Sequence, residues 1–262
     1  MKSKRIYEME HYIHLHKKVS LSELEEKFQI SINTVRRDIK ELLKKEVIKK
    51  VYGGVESIKD GIIQTEDVLI DIEKRHHTKP KEKQNIAKKA ATFIRDGDTI
   101  YIDSGTTTLG ILDYLSQDIK ITVVTNSLPV INKAVKFPNV DIILSGNKYL
   151  KRTSSFTKLG TYSILERLNV SKAFMAATSV SIDNGVMNAT MEEYELKTKV
   201  VSKTKEKYLL VDCSKFNKLG FITFAELTEF KTIITDSLDD ELMKQFAQLK
   251  NITFIETAKE EV

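Results

Sequence analysis

The 262-residue sequence predicts an α/β protein in two parts, a small tri-helical module closed by a β-hairpin and a larger unit of alternating strands and helices. Three observations predict it. Apolar residues recur at helical spacing three times in the first 44 residues, then give way to β-branched residues around Gly53-Gly54. From Lys81 onward, helical and strand patterns alternate, as in a largely parallel sheet with helices on both faces. Charge divides along the same line. Residues 1–60 hold 14 Lys or Arg against 10 Asp or Glu, whereas the rest hold 28 against 27. A basic module beside a near-neutral one fits a nucleic-acid binder with a separate second function.

Composition narrows the class further. With 41% hydrophobic residues, 30% charged, 10 Gly and 3 Pro, the chain has material for a core and little for extended disorder. The longest apolar run, Ala173–Ala177, is five residues, too short to span a membrane. The start, MKSKRIYEMEHYIHLHKK, is polar and lacks the apolar stretch of a signal peptide, so the expected location is the cytoplasm. A single cysteine, Cys213, excludes an intramolecular disulfide and any all-cysteine metal site, and it reads as a small half-buried side chain. His76 and His77 have no neighbouring ligand pattern and read as loop surface; no metal ligand or cofactor is expected.

Taking the elements in order, Ile6, Met9, Ile13 and Leu15 share one face of a first helix that ends near Lys17-Lys18. Ser20 with Glu23 three residues on is a capping box, and Leu21, Leu24 and Phe28 give the second helix its apolar stripe. Gln29, Ile30 and Ser31 form a tight turn, with Ser31 as N-cap of a third helix. There Val35, Ile39 and Leu42 form the buried face, and Asn33, Arg36, Arg37 and Lys40 lie opposite. A charge cluster on a helix usually means a solvated face. The tri-helical setting with its three-residue turn instead matches a helix that enters the major groove. Arginine pairs bidentately with guanine and asparagine with adenine, while Ser31, Thr34 and Lys40 suit phosphates or the groove edge. Val47, Ile48, Val51, Tyr52 and Val55 around the double glycine then predict a hairpin wing, with Lys49 and Lys50 near the DNA backbone.

The run VSLSELEEKFQISINTVRRDIKELLKKEVIKKVYGGV resembles the DNA-binding module of the DeoR-type bacterial regulators, with Thr34, Val35, Arg36, Arg37 and Asp38 matching the family's T-[VI]-R-R-D in order. The resemblance implies that Arg36 and Arg37 contact operator DNA, whereas Asp38 orients an arginine or caps locally. It gives the winged helix-turn-helix residues 1–56, followed by a linker over 57–80 and a second domain over 81–262.

In that second domain the helix of Ile86, Ala90, Phe93 and Ile94 ends at Asp96-Gly97-Asp98. A strand over Thr99–Asp103 leads into Ser104-Gly105-Thr106-Thr107-Thr108, which opens a helix through Leu115. Further strands are expected at Ile121–Thr125, Val140–Leu144, Lys172–Ala176, Tyr208–Asp212, Thr232–Thr235 and Ile252–Phe254. Ligands in such sheets bind at the carboxyl ends of strands. Asp103–Thr108 offers one glycine and four hydroxyls at a helix N-terminus, suited to a phosphate or carboxylate; the same residues serve equally as helix caps. Thr125-Asn126-Ser127 and Asp212-Cys213-Ser214-Lys215 also fall at strand ends, which favours one shared pocket.

DSGTTT, VTNSL, Glu193-x-x-x-Lys197 and D-x-SKF at Asp212–Phe216 resemble, in order, segments of the DeoR-type effector domain. That domain is similar in fold to ribose-5-phosphate isomerase, so the resemblance implies a Rossmann-like unit. It also implies a phosphorylated sugar or inositol-derived effector, held by Asp103, Ser104, Gly105, Thr106, Thr107, Thr108, Asn126, Ser127, Glu193, Asp212 and Lys215. It further implies double-stranded operator DNA as partner, a homodimer or homotetramer, no membrane, and repression relieved by ligand. KVYGGVESI, YIDSGTTT, SGNKYLKRTSSF and SKAFMAAT look most like repressors of myo-inositol utilisation operons. The chain departs from the family's common pattern at Asn147, at Cys213 where His is usual, and at Ala177-Thr178, which puts the detailed pocket shape in question.

Two rival functions are open to the residues. Asp103, Glu193, Asp212 and Lys215 near one pocket could move a proton in a sugar-phosphate isomerase with an accessory DNA-binding module. Fold does not imply function, and no GxSxG, GxxxxGK[ST] or HExxH motif is present, so no catalytic residue is assigned. A constitutive DNA-binding protein with a purely dimerising second domain would not need polar loops gathered at strand ends.

Overall fold

The seven expected strands gather into one sheet, and its order decides where a ligand can sit. A computed structural model describes residues 5, 6, 9, 10, 12, 13, 16, 18–44, 47–57, 72–158, 160, 164–246, 248, 249 and 251–260. The chain divides into two units, Met1–Asp67 and Val68–Val262.

In the first unit, residues 5, 6, 9, 10, 12, 13 and 16 are helical, and Ile6, Met9 and Ile13 are buried as their spacing requires. Leu15 and Lys17 lie outside the described residues. Strand β1 (Lys18–Ser20) precedes helices α1 (Leu21–Phe28) and α2 (Ile32–Lys44). The capping box is formed, with Glu23 N donating to Ser20 Oγ at 3.1 Å and Ser20 N to Glu23 Oε2 at 2.8 Å. Gln29 turns the chain in the left-handed region, and Ile32 N donates to Glu25 Oε1 at 2.8 Å, so the acid of α1 fixes the start of α2. Ser31 Oγ accepts from Thr34 N at 3.4 Å, the N-cap contact.

The wing is a three-stranded antiparallel sheet, β1-β3-β2, with β2 at Ile48–Val51 and β3 at Gly54–Ser57. Strand β1, three residues long, is too short for a period to reveal. It explains the double glycine. Gly53 turns the hairpin at φ +84°, and a Cβ on Gly54 would lie 2.1 Å from the Val19 carbonyl oxygen as β1 crosses. Beneath the sheet, Val19, Ile48 and Val55 join Leu24, Val35, Ile39 and Leu42 in one core.

The second unit is built on seven parallel strands in the order β15-β14-β12-β9-β4-β5-β6. These are β4 (Thr99–Ile102), β5 (Ile121–Thr125), β6 (Val140–Leu144), β9 (Lys172–Ala176), β12 (Glu206–Leu210), β14 (Thr232–Thr235) and β15 (Thr253–Glu256). Alternation sends successive side chains to opposite faces. Ile100 and Ile102 pack with Phe174, Leu210 and helix α4 (Pro80–Ala91), while Tyr101 packs with Met175, Leu209 and helix α7 (Met191–Lys203). Both faces are therefore covered, as continuous apolar strands require.

Several segments differ from the sequence reading. Ser57, placed in the linker, belongs to β3; Ile72–His77 is a helix, α3; and α4 begins at Pro80. His76 and His77 are therefore exposed on a helix and not in a loop. Residues 58–71 of the expected linker lie outside the described residues. The helix after Ser104 is one α-turn, α5 (Thr106–Leu109), continued as a 3₁₀ turn over Gly110–Tyr114. The strands expected at Thr99–Asp103, Tyr208–Asp212 and Ile252–Phe254 run instead over the bounds given above, and Asp212 caps the turn that follows β12. Two small antiparallel sheets were not foreseen. One joins β10 (Ser179–Ser181), β11 (Gly185–Asn188) and β13 (Ile222–Ala225); the other is the hairpin β7 (Lys148–Leu150) with β8 (Ser155–Thr157).

Candidate nucleic-acid interface and ligand site

The buried face of α2 fixes what its outer face presents. With Val35, Asp38, Ile39 and Leu42 turned into the core, Asn33, Arg36, Arg37 and Lys40 are all exposed on the opposite side, and Ser31 and Thr34 stand at the N-terminal turn. Asp38 is fully buried, and its Oδ2 accepts from Arg5 Nε at 2.7 Å. The arginine it orients is thus on the leading helix, and Arg36 and Arg37 are left to solvent. Asp38 raises the Arg5 pKa, chiefly through this hydrogen bond. On the wing, Lys50 is exposed, whereas Lys49 meets Glu56 Oε2 at 3.3 Å across the β2–β3 pair. Tyr52, one of the residues that predict the wing, stands at the hairpin apex and is fully exposed.

In the second unit the strand order turns at β4. From β4 the chain steps one way through β5 and β6, and the other way through β9, β12, β14 and β15. The carboxyl ends of β4 and β9 therefore flank a topological switch point, the place where open α/β sheets commonly bind ligands. The Ser104–Thr108 loop lies there. Gly105 is pressed so closely on β9 that a Cβ would lie 2.3 Å from Ala176 Cβ.

A buried ion pair holds these strand ends together. Asp103 Oδ2 accepts from Lys197 Nζ at 2.5 Å and from Ala176 N at 3.0 Å, and Oδ1 accepts from Ser104 N at 2.8 Å. Lys197 Nζ also donates to Ala176 O at 2.7 Å, so both charges are compensated within the protein. Asp103 thus ties β4, β9 and α7 together, and its oxygens are occupied by protein donors. Glu193, one helical turn before Lys197, accepts from Ser104 Oγ at 3.4 Å and Thr190 Oγ1 at 3.0 Å.

Other residues expected in the pocket are occupied by the fold itself. The Thr108 hydroxyl lies 2.7 Å from Asp103 O and 2.9 Å from Gly105 O. Asn126 accepts from Tyr101 Oη at 2.9 Å and donates to Phe156 O at 3.2 Å, and Ser127 caps helix α6 (Leu128–Ala134) through Val130 N. Burial, reinforced by Asp103, pushes the Tyr101 phenol well above its ordinary pKa and keeps it a donor. Asp212 accepts from Ser214 N at 3.0 Å and from Ser214 Oγ. Ser104, Gly105, Thr106 and Thr107 form the loop at the switch point, with Glu193 within reach of Ser104 Oγ.

Three cations that the sequence reading did not assign gather nearby. Helix α3, which carries Arg75, packs beside α5. Lys83 Nζ donates to Arg75 O, and burial pushes the Lys83 pKa down to about 8. Asp212 opposes that shift, while Lys215 and Arg75 reinforce it, so these four side chains share one electrostatic neighbourhood. Lys79 reaches Cys213 Sγ at 3.0 Å and Asp236 Oδ2 at 3.6 Å. A signal for Lys83 was present in the sequence, since it stands at i with Ile86, Ala87 and Ala90 at i+3, i+4 and i+7, a lysine on an apolar stripe.

Comparison with known proteins gives the same two parts. Residues 5–60 match the DeoR-like helix-turn-helix domain, and residues 78–237 match the DeoR C terminal sensor domain. The chain is 44% identical over 242 residues to the HTH-type transcriptional regulator IolR of Bacillus subtilis, covering 92% of this chain and 94% of that protein. It is 31% identical to the lactose phosphotransferase system repressor of Streptococcus mutans, covering 96% and 98%. The chain also aligns with ribose 5-phosphate isomerase A of Methanocaldococcus jannaschii at TM-score 0.41 and 18% identity, over 54% of this chain and 56% of that one. The full-length relatives are named as regulators and not as enzymes. With both domains matched along nearly the whole chain, it belongs to the DeoR family of transcription regulators, a helix-turn-helix DNA-binding domain joined to a sensor domain.

Proposed function

We propose that the chain is a cytoplasmic repressor of a carbohydrate catabolic operon, released from its operator by a phosphorylated intermediate. The observation that carries the sensing half is the Ser104–Thr107 loop at the sheet's switch point, with Arg75 and Lys215 near enough to the buried Lys83 to act on its charge. Backbone N–H groups and hydroxyls at the start of a helical turn suit a phosphate, and the buried Lys83 with the half-buried Arg75 and Lys215 supplies the charge that holds it. Glu193 beside Ser104 suits a hydroxyl donor on the ligand and repels a second anionic group. Asp103, Thr108, Asn126, Ser127 and Asp212, all hydrogen-bonded within the protein, shape the pocket. The stretches KVYGGVESI and SKAFMAAT favour an inositol-derived phosphate.

The reading half uses Arg36, Arg37 and Asn33 for base edges, and Ser31, Thr34, Lys40, Lys49 and Lys50 for the phosphate backbone. Two copies in a homodimer or homotetramer would meet two half-sites. Linkage requires the effector to weaken DNA binding as much as DNA weakens effector binding.

Fluorescence anisotropy on DNA from upstream of the gene and its neighbouring operons tests this, with a panel of sugar and inositol phosphates at fixed salt. One phosphorylated compound should release the DNA and its unphosphorylated parent should not. Thr106→Ala and Lys215→Ala should blunt that release. A response to the whole panel that is unchanged in both variants would sink the pocket assignment.

A further inference from the structure

We propose that Tyr52 is a minor-groove wedge, a specificity-determining contact at the tip of the wing. It rests on the reading of the first unit as a DNA-binding module and goes beyond the base and phosphate contacts assigned there. Three features of the hairpin carry it.

The first is that the ring does nothing for the fold. Tyr52 is 100% exposed, while Ile48 and Val55 in the same hairpin are 1% exposed and anchor its base in the core. A large aromatic left wholly in water contributes no packing, so its place at the apex has no folding rationale.

The second is that the apex is held rigidly. Only Tyr52 and Gly53 separate the paired Val51 and Gly54, and Gly53 adopts a φ of +84°. Gly54 is closed in by the Val19 carbonyl oxygen, so the third strand braces the turn from behind. A braced hairpin loses little freedom on binding, and a tyrosine has only two side-chain torsions to fix.

The third is the charge around it. Lys50 is exposed beside the tip, and Lys49 and Lys18 are exposed further down, both opposite Glu56 in the ladder. A lone aromatic among lysines fits a polyanion with stacked rings and does not fit an apolar protein groove. Helix α2 packs on β2, so when α2 occupies the major groove the wing beside it meets the adjoining backbone and the narrower groove past it. Apolar wedges entering that groove unstack a base step, and an aromatic ring on a base contributes about as much as a direct base contact.

The test uses the full-length chain and a duplex that the wild type selects from a random pool. Affinity is measured for wild type, Tyr52→Phe, Tyr52→Ala and Arg36→Ala. Tyr52→Ala should bind about tenfold more weakly with an unchanged melting temperature, and Tyr52→Phe should stay near wild type. Replacing flanking A·T pairs by diaminopurine·T adds an amino group in the minor groove alone; this should weaken the wild type and leave Tyr52→Ala indifferent. Wild-type affinity in Tyr52→Ala, loss in Tyr52→Phe equal to that in Tyr52→Ala, or an equal diaminopurine penalty in both proteins would each overturn the wedge. If Arg36→Ala weakens binding while Tyr52→Ala does not, only the wedge fails. If neither variant weakens binding, the DNA-reading assignment fails with it.

Discussion

The two units handle polar side chains in opposite ways. On α2, Asn33, Arg36, Arg37 and Lys40 point into solvent, and the one charged residue on the inner face, Asp38, is bound by Arg5. At the strand ends of the second unit, Asp103, Thr108, Asn126, Ser127 and Asp212 are all buried and all hydrogen-bonded within the protein. A groove reader must keep its donors free for base edges. A pocket must first hold its own strand ends in place, because a buried polar group without a partner costs free energy. A polar residue on an exposed helix face is thus a candidate contact, whereas one at a strand end is as often part of the frame.

The largest effect separating the units should come from Lys197. Replacing it by Met leaves the Asp103 carboxylate buried without its counter-charge, and the expected loss of stability is about 3–5 kcal/mol. Chemical denaturation followed by circular dichroism measures it; a loss comparable with that of a surface substitution would refute the framing role. Arg36→Ala should behave in the opposite manner, leaving stability unchanged and weakening operator binding by about 1–3 kcal/mol with relaxed specificity. A titration against matched and mismatched duplexes checks this.

In the proposed site, Lys83 is the residue that would link the frame to the ligand. Its pKa of about 8 makes it mostly charged at pH 7 and mostly neutral at pH 9. A phosphate requires the charged form, so effector affinity should fall roughly tenfold as pH rises through 8, and calorimetry should find the step absent in Lys83→Arg. The sign for stability is reversed. Burial disfavours the charged lysine in the fold, so the unfolded chain holds the extra proton, and stability without ligand should rise between pH 8 and 10.5. The smallest effect is Ser20→Ala, which removes the cap of α1 and should cost about 1 kcal/mol of thermal stability without altering specificity.

Much of this was legible in the sequence. The helices of the first unit follow from Leu24, Val35, Ile39 and Leu42, and most of the parallel strands from short apolar runs bounded by turns. What escaped was either too short to have a period, as β1 is, or fixed by distant partners. Nothing near Asp103 in the chain shows that Lys197 lies on it, and nothing near Cys213 shows that Lys79 reaches it. The order of the seven strands, which puts the Ser104 loop at a switch point, is likewise a property of long-range pairing. Lys83 could have been found, since a lysine in register with Ile86, Ala87 and Ala90 breaks the apolar pattern of its own helix.

The most direct test of the account is operator release measured by anisotropy for wild type and Lys215→Ala side by side, across phosphorylated and unphosphorylated sugars and inositols. The account expects one phosphorylated compound to release wild-type protein, its parent alcohol to do nothing, and Lys215→Ala to bind the operator yet ignore the compound. Release by the unphosphorylated parent, or an undiminished response in Lys215→Ala, would contradict it.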